Sequence, residues 1–84
     1  MTQEELAGLK VDKLVDARGS SCPGPLLEAK KGIGAVSVGG IIEIVSNDQG
    51  TKKDIPAWAG KVGHECLGVI EGEAYDRIFV KRLK

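Results

Sequence analysis

The 84-residue chain has few aromatic residues and no excess of charge. It contains one Trp, one Tyr and one Phe, and its 12 Lys and Arg residues balance its 12 Asp and Glu residues. Proteins that bind single-stranded nucleic acid stack bases on aromatic rings, and those that bind duplexes present a basic surface. We therefore expect no direct contact with nucleic acid.

Long hydrophobic runs are also lacking. No segment approaches the roughly 20 apolar residues of a membrane-spanning helix. The first ten residues, MTQEELAGLK, carry acidic residues where a secretory signal has a basic region and an apolar stretch. Two cysteines in a reducing compartment are more often thiols than a disulfide. These features predict a cytoplasmic protein without membrane association.

The order of apolar patterns predicts one domain over residues 1–84, with residues 1–10 as a frayed first turn or a loose arm. The remaining residues read as strand, helix, strand, helix, strand, strand. Crossovers between parallel strands are right-handed, so both helices should lie on one face of the sheet. The predicted fold is α+β: a two-layer sandwich with a four-stranded mixed sheet, in which only the last strand is antiparallel.

The first predicted helix has an apolar face at near-helical spacing, formed by Leu26, Ala29, Ile33 and Val36. The second has a similar face, formed by Ile55, Trp58, Ala59 and Val62. Two starts are possible for the second helix. Either Asp54 caps it, with Pro56 in the first turn, or it begins near Thr51 and Pro56 lies inside it. Gly63 predicts its C-terminal end.

Cys22 is followed by Pro23, Gly24 and Pro25, between the first strand and the first helix. We expect Cys22 at or beside the N-cap and Pro23 at the first helical position, where proline loses no hydrogen bond. Pro25 falls within the first turn, which also needs no intrahelical donor. Gly24 is permissive enough to precede a proline there. The segment therefore predicts a rigidly fixed helix start.

A thiol at a helix N-terminus meets a positive partial charge, which lowers its pKa and favours the thiolate. Arg18, Lys30 and Lys31 are close in sequence and could add positive charge, with Arg18 the best placed. The simpler alternative is a small buried cysteine. Flanking serines and prolines favour an exposed loop instead, so Cys22 is the predicted nucleophile.

The stretch DARGSSCPGPLLEAKK resembles the signature of the TusA/SirA-like family of small sulfur-carrier proteins. The matching positions are Asp16, Gly19, Cys22, Pro23 and Pro25. The stretch DQGTKKDIPAW resembles a second family motif at Asp48, Thr51, Asp54, Ile55 and Pro56. The resemblance covers residues 14 to 81, nearly the whole chain.

This resemblance implies a fold like the C-terminal domain of translation initiation factor three, with sheet order 1-2-4-3. It also implies that Cys22 accepts sulfane sulfur as a persulfide from a donor protein, a cysteine desulfurase or a rhodanese, and passes it to an acceptor protein. Family members serve tRNA thiolation, cofactor synthesis or dissimilatory sulfur metabolism. No metal or organic cofactor is implied. We expect a monomeric sulfurtransferase-type carrier rather than a complete enzyme.

An alternative function is a redox-sensing regulatory or protein-interaction domain, in which Cys22 only reports oxidation. In either case we expect a set of residues to orient the loop: Asp16, Arg18, Gly19, Pro23, Gly24 and Pro25. Four further residues are predicted to face a partner: Lys30, Lys52, Lys53 and Asp54. Asp48 and Asp54 are more simply helix caps than catalytic carboxylates.

Cys66 is expected at the start of the third strand, at the end of the sheet opposite Cys22, as a structural thiol. A disulfide between the two is not expected, because it needs Cα atoms within about 7 Å. His64 and Cys66 lack two further ligands nearby for a zinc site. His64 is predicted to contact the last carbonyls of the second helix.

Overall fold

A computed structural model of the chain describes residues 2–20 and 24–84. The predicted positions of Cys22 at the N-cap and Pro23 at the first helical position lie outside the described residues. The elements, in chain order, are α1 (Gln3–Ala7), β1 (Lys13–Asp16), α2 (Gly24–Gly34), β2 (Ile41–Ser46), α3 (Thr51–Val62), β3 (Glu65–Glu71) and β4 (Asp76–Lys81).

The four strands form one mixed sheet in the order β1-β2-β4-β3. β1 pairs with β2 in parallel, and β4 pairs antiparallel with both β2 and β3. β1, β2 and β3 therefore run in the same direction, and their C-terminal ends lie at one edge of the sheet. The predicted α+β sandwich and its sheet order are confirmed.

The main core lies between the sheet and helices α2 and α3. Its sheet side consists of alternate residues of the strands, because successive side chains point to opposite faces. The helix side consists of the predicted apolar faces, except that Val36 follows the end of α2, Leu26 and Trp58 are only partly buried, and Val62 is exposed. The buried core residues are Val15, Ala17, Ala29, Ile33, Val36, Ile42, Ile44, Ile55, Ala59, Ile78 and Val80.

Helix α2 packs very closely on β1, and this contact requires a glycine. A Cβ atom on Gly32 would lie 2.5 Å from Cγ2 of Val15, well inside van der Waals contact. Gly32 lowers helix propensity by about 1 kcal/mol relative to alanine. The close approach of helix to strand is the structural reason for that cost.

Helix α3 begins at Thr51, three residues before Asp54. Gly50 is the N-cap residue and makes no side-chain cap, so the alternative in which Asp54 caps the helix is wrong. Pro56 lies inside the helix, where it removes one intrahelical donor. The C-terminal end agrees with the sequence: Gly63 has φ of 88° and donates its N–H to the carbonyl of Ala59.

The N-terminal segment differs from the expected loose arm, because it contains helix α1. Thr2 and Glu5 form a capping box, in which each side chain accepts from the other residue's backbone N–H. Leu6 is only 2% exposed, and a Cβ on Gly68 would lie 2.7 Å from its Cδ1. Gly68 is in register with Phe79, which is fully buried on the sheet face opposite α2 and α3. α1 therefore covers part of that second face.

Among the described residues, no helix is both long enough and apolar enough to cross a membrane.

Candidate functional site

The candidate site lies at the edge of the sheet where β1, β2 and β3 end. Three connections meet there: residues 17–20 after β1, residues 47–50 after β2, and residues 72–75 between β3 and β4. The central residue of the sequence-based hypothesis, Cys22, lies outside the described residues, as do Ser21 and Pro23. The site is therefore described by the residues on either side of this segment, up to Ser20 and from Gly24 onward.

A tight turn carries the chain away from β1. The backbone N–H of Ser20 donates to the carbonyl of Ala17 at 3.2 Å, which closes a four-residue turn. Gly19 is the third residue of this turn and has φ of 86°. Only glycine adopts that conformation without strain. This geometry supplies a physical reason for the predicted orienting role of Gly19.

Asp16 and Arg18 form a compact ion pair at the start of this turn. The carboxylate accepts from the Arg18 backbone N–H at 3.1 Å, from Nε at 3.0 Å and from a terminal guanidinium nitrogen at 2.9 Å. These hydrogen bonds from Arg18 lower the pKa of Asp16 to about 2. The same contacts raise the pKa of Arg18. The charge of Arg18 is thus paired with Asp16, and less of it is available to a neighbouring thiolate than the sequence suggested.

Tyr75 makes a contact that the sequence did not indicate. Its ring centroid lies 5.1 Å from the guanidinium carbon of Arg18, within cation–π distance. Tyr75 precedes β4, whereas Arg18 follows β1, and β2 lies between those strands in the sheet. The contact therefore joins the β3–β4 connection to the segment that leads to Cys22.

Asn47 is a second residue that sequence reasoning missed. Its side-chain Oδ1 accepts from the backbone N–H of Gly19 at 3.1 Å. A shallow polar depression of about 420 Å³ lies beside this bond, lined by Gly19, Ser20, Asn47, Asp48 and Gln49. The β1–α2 and β2–α3 connections are therefore directly attached to each other.

Asp48 organises the entry into α3 through hydrogen bonds of both its backbone and its side chain. Its backbone N–H donates to Oγ of Ser46, its Oδ1 accepts from the N–H of Gly50, and its carbonyl accepts from the N–H of Thr51. These bonds are local and define a turn. They support a structural role for Asp48 rather than a catalytic one.

Gly24 and Pro25 begin α2 on the other flank of Cys22. A Cβ on Gly24 would lie 3.0 Å from Cβ of Ser20, so the two flanks are close in space. Pro25 is fully buried. The start of α2 is thus packed on the protein interior at Pro25.

The four residues predicted to face a partner occupy different environments. Lys30 and Lys53 are exposed. Lys52 forms ion pairs with the end of β3 and the start of β4, with Nζ 3.6 Å from Glu71 and 3.9 Å from Asp76. A groove of about 380 Å³ between α2 and α3 brings together Leu26, Lys30, Asp54, Ala57, Trp58, Lys61 and Val62. Lys30 and Asp54 therefore share one surface, and Lys52 does not belong to it.

Cys66 lies at the far end of the sheet, as predicted. Its register partners are Val80, then Ile42, then Lys13, the first residue of β1. The segment toward Cys22 leaves from the other end of β1. Burial raises the pKa of the Cys66 thiol. A smaller fraction of it is therefore the nucleophilic thiolate at neutral pH than for a solvent-exposed cysteine.

His64 also agrees with its predicted place after α3. Its backbone N–H donates to the carbonyl of Ala59 at 2.8 Å, while its Nδ1 accepts from the N–H of Leu83. Within residues 2–20 and 24–84, no three His, Cys, Asp or Glu side chains are grouped so as to hold a metal ion.

Comparison with known proteins identifies the family. The family model described as Sulfurtransferase TusA matches residues 13–82, from the first residue of β1 to the residue after β4. The chain belongs to the TusA family. The matched range includes both flanks of Cys22 and the segment between them.

Individual relatives agree with this assignment. A proposed sulfur carrier protein of Archaeoglobus fulgidus is 52% identical over 71 residues, which are 84% of this chain and 97% of that protein. The sulfur carrier protein TusA of Allochromatium vinosum is 39% identical over 56 residues, 67% of this chain and 74% of that protein. A SirA-like protein from Desulfitobacterium hafniense has the same fold, with a TM-score of 0.74 over 86% of this chain and 99% of that chain at 19% identity.

Proposed function

We propose that this protein is a sulfur carrier, in which Cys22 holds sulfane sulfur as a persulfide and passes it to an acceptor protein. The observation that carries the proposal is membership of the TusA family over residues 13–82, a range that contains Cys22 and the prolines after it. Relatives that match most of this range are named sulfur carrier proteins. Cys66 does not compete for the role, because its thiol is half-buried and its pKa is raised.

The proposed reaction is an exchange between thiolates and needs no external oxidant. The Cys22 thiolate attacks the terminal sulfur of a donor persulfide, and the bond between the two donor sulfurs breaks. The donor leaves as a thiolate, and Cys22 becomes a persulfide anion. In the second transfer an acceptor thiolate attacks the terminal sulfur, and Cys22 is released as a thiolate. Sulfane sulfur is conserved through both steps.

The described flanks of Cys22 support this chemistry. Helix α2 begins at Gly24, two residues along the chain, and its N-terminal end carries a positive partial charge. That charge favours both the attacking thiolate and the persulfide anion. Lys30 and Lys31 are exposed on the same helix, but Lys31 lies in its last turn, so they contribute little at the N-terminal end. Arg18 contributes less, because it is paired with Asp16.

The partners are a sulfur donor, of the cysteine desulfurase or rhodanese class, and an acceptor protein with its own reactive sulfur. Two sulfur atoms must meet, so both partners dock on the surface that surrounds Cys22. The α2–α3 groove with Lys30 and Asp54 starts near the beginning of α2 and is the adjacent part of that surface. A reducing cytoplasm suits such a carrier, because it keeps Cys22 available as a thiol.

Mass spectrometry of the intact protein tests the proposal. The reduced protein is incubated with a cysteine desulfurase and cysteine, or with a rhodanese and thiosulfate. We expect a mass gain of one sulfur atom that maps to Cys22 and is removed by a thiol reductant. Cys22→Ser should show no gain, whereas Cys66→Ser should be loaded like the wild type. If no donor loads the protein, the carrier function is wrong and the redox-sensing alternative is favoured.

A further inference from the structure

His64 is the only histidine of the chain, and its ring contacts the segment that follows β4. Its Nδ1 accepts a hydrogen bond from the backbone N–H of Leu83 at 3.1 Å. A backbone N–H can only donate, so Nδ1 presents a lone pair and the imidazole is neutral, with its proton on Nε2. The contact therefore belongs to one protonation state of His64.

Protonation of the imidazole removes this contact. In the imidazolium both ring nitrogens carry a hydrogen, so Nδ1 would face the Leu83 N–H with a hydrogen of its own. From this geometry we propose that His64 is a pH-sensitive latch. When neutral it holds Leu83 against the end of α3, and when protonated it releases Leu83. The proposal is independent of Cys22 and of sulfur transfer.

The released part of the chain is short, because Arg82 is held from elsewhere. The carbonyl of Arg82 accepts from the N–H of Gly39 at 2.6 Å, and its N–H donates to the carbonyl of Gly40 at 2.8 Å. Its guanidinium also donates to the carbonyl of Val36. Backbone amides and arginine keep their protonation states near neutral pH. Arg82 therefore stays attached in both states of the latch.

Without the histidine, the last two residues have little to hold them on α3. Leu83 is 47% exposed. The carbonyl of Lys84 accepts from Nε of Arg82 at 2.8 Å, a bond within the segment that does not reach the helix. The Lys84 side chain lies over Gly63, where a Cβ would come within 2.8 Å of Cε. Loss of one hydrogen bond changes the ratio of attached to detached forms by about two- to tenfold.

The charges around His64 favour release once the ring is protonated. The elements that meet here carry five charged residues close to it in sequence or register: Lys61 in α3, Glu65 in β3, its register partner Lys81 in β4, and Arg82 and Lys84 after β4. Four of these are positive and one is negative. An imidazolium therefore adds to an excess of positive charge, and the segment it has to hold is itself positive.

The latch borders the groove between α2 and α3. The His64 ring lies beside that of Trp58, with centroids 6.0 Å apart and an angle of 59° between the planes. Trp58 lines the groove, together with Lys30, Asp54 and Lys61 among others. Protonation of His64 therefore also places a further positive charge next to this surface.

NMR of the full chain tests the latch from pH 8 to pH 5, the range in which histidines change charge. The ring-proton resonances of His64 follow its protonation. The heteronuclear NOE of the Leu83 amide measures the mobility of that residue. We expect this NOE to fall with the same pH dependence as the His64 resonances, as the attached form loses two- to tenfold in population. The Gly39 amide, bonded to Arg82, is the internal control and should keep its NOE.

His64→Phe is the matched variant, because it keeps a ring beside Trp58 but has no nitrogen that accepts or titrates. Its Leu83 NOE should be low at pH 8 and pH 5 alike. The wild-type titration decides the question by itself if this variant folds poorly.

Three results would contradict the latch. The Leu83 NOE could stay constant while His64 titrates, a folded His64→Phe could keep the high wild-type NOE, or Gly39 could lose its NOE together with Leu83. The last result would mean that a larger part of the protein opens at once. A failure of sulfur loading would instead contradict the proposed carrier function and would leave the latch untouched.

Discussion

The side-chain oxygens of Ser46 and Thr51 lie 2.9 Å apart in a buried hydrogen bond, where β2 ends and α3 begins. Ser46 is fully buried and also accepts from the backbone N–H of Asp48. Among the described residues, no buried side-chain nitrogen or oxygen lacks a partner. This pair therefore fixes the two ends of the β2–α3 connection. The same connection contains Asn47, which accepts a hydrogen bond from Gly19.

We expect substitution of either hydroxyl to destabilise the protein, and Ser46→Ala to cost more than Thr51→Val. Ser46→Ala leaves both Thr51 and the Asp48 N–H without their partner, at a cost of about 2 kcal/mol, whereas Thr51→Val costs about 1 kcal/mol. The double mutant should cost less than the sum, because neither residue then buries an unpaired hydroxyl. Urea unfolding midpoints measure these differences. Strict additivity would contradict the direct bond.

The Asp16–Arg18 ion pair predicts a stability change in acid. The pKa of Asp16 is lowered from 3.8 to about 2 in the folded protein. A lowered folded-state pKa means that the carboxylate stabilises the fold above pH 3.8, and that this contribution is lost as the pH falls toward 2. Wild type should therefore be more stable than Asp16→Asn at neutral pH, with the difference shrinking below pH 4.

Salt provides a second check on the same residue. Asp16 and Arg18 are half-exposed, so high ionic strength should weaken their attraction and bring the Asp16 pKa back toward its usual value. An NMR titration of the Asp16 carboxyl carbon at low and high salt measures both effects. A carboxyl group that titrates near pH 4 at low salt would contradict the ion pair.

Two helical glycines should respond in opposite ways to alanine. Gly32→Ala places a Cβ 2.5 Å from Val15 and should destabilise the protein, because α2 must move away from β1. Gly60 lies in α3, and apart from its chain neighbours and the backbone of its own helix no atom lies within 4 Å of its would-be Cβ. Gly60→Ala should raise the free energy of unfolding by about 0.5–1 kcal/mol. Thermal unfolding of the two variants, side by side, decides whether Gly32 is there for close packing.

Helix α1 should contribute measurably to stability through Leu6. Leu6→Ala removes a side chain that is 2% exposed against Gly68, and buried leucines cost about 2–5 kcal/mol when truncated. Leu9→Ala, just after the helix and less buried, serves as the control and should cost less. Equal unfolding midpoints for Leu6→Ala and the wild type would show that α1 does not pack on the sheet in solution.

The sequence predicts those parts of the fold that depend on local pattern. The strands and the two long helices follow from periodic apolar residues, and Gly63 ends α3 because only glycine readily takes its conformation. One of the two predicted starts of α3 was wrong. Aspartate is a common N-cap residue, which favoured a start at Asp54, but the turn through Asp48 and Gly50 sets the start at Thr51.

Contacts between distant residues could not be predicted in this way. Helix α1 has one buried side chain, Leu6, which packs against Gly68 in β3. Nothing in the sequence around Gly68 indicates that a helix packs there. Tyr75 contacts Arg18 and Asn47 contacts Gly19 only because the sheet order brings three connections to one edge. Arg18 lies in the connection after β1, and its ion pair with Asp16 leaves less of its positive charge available to a neighbouring thiolate than its residue type alone suggests.

The position of β4 within the sheet constrains the order in which the chain can fold. β4 is the last strand in sequence, yet it lies between β2 and β3. Until it is inserted, β3 has no neighbouring strand, and β1 with β2 forms a two-stranded ribbon that is marginal alone in water. During synthesis on a ribosome, the four-stranded sheet therefore cannot form before residues 76–81 emerge. We expect the nascent chain to lack stable tertiary structure until then, and the sheet to form in one late, cooperative step.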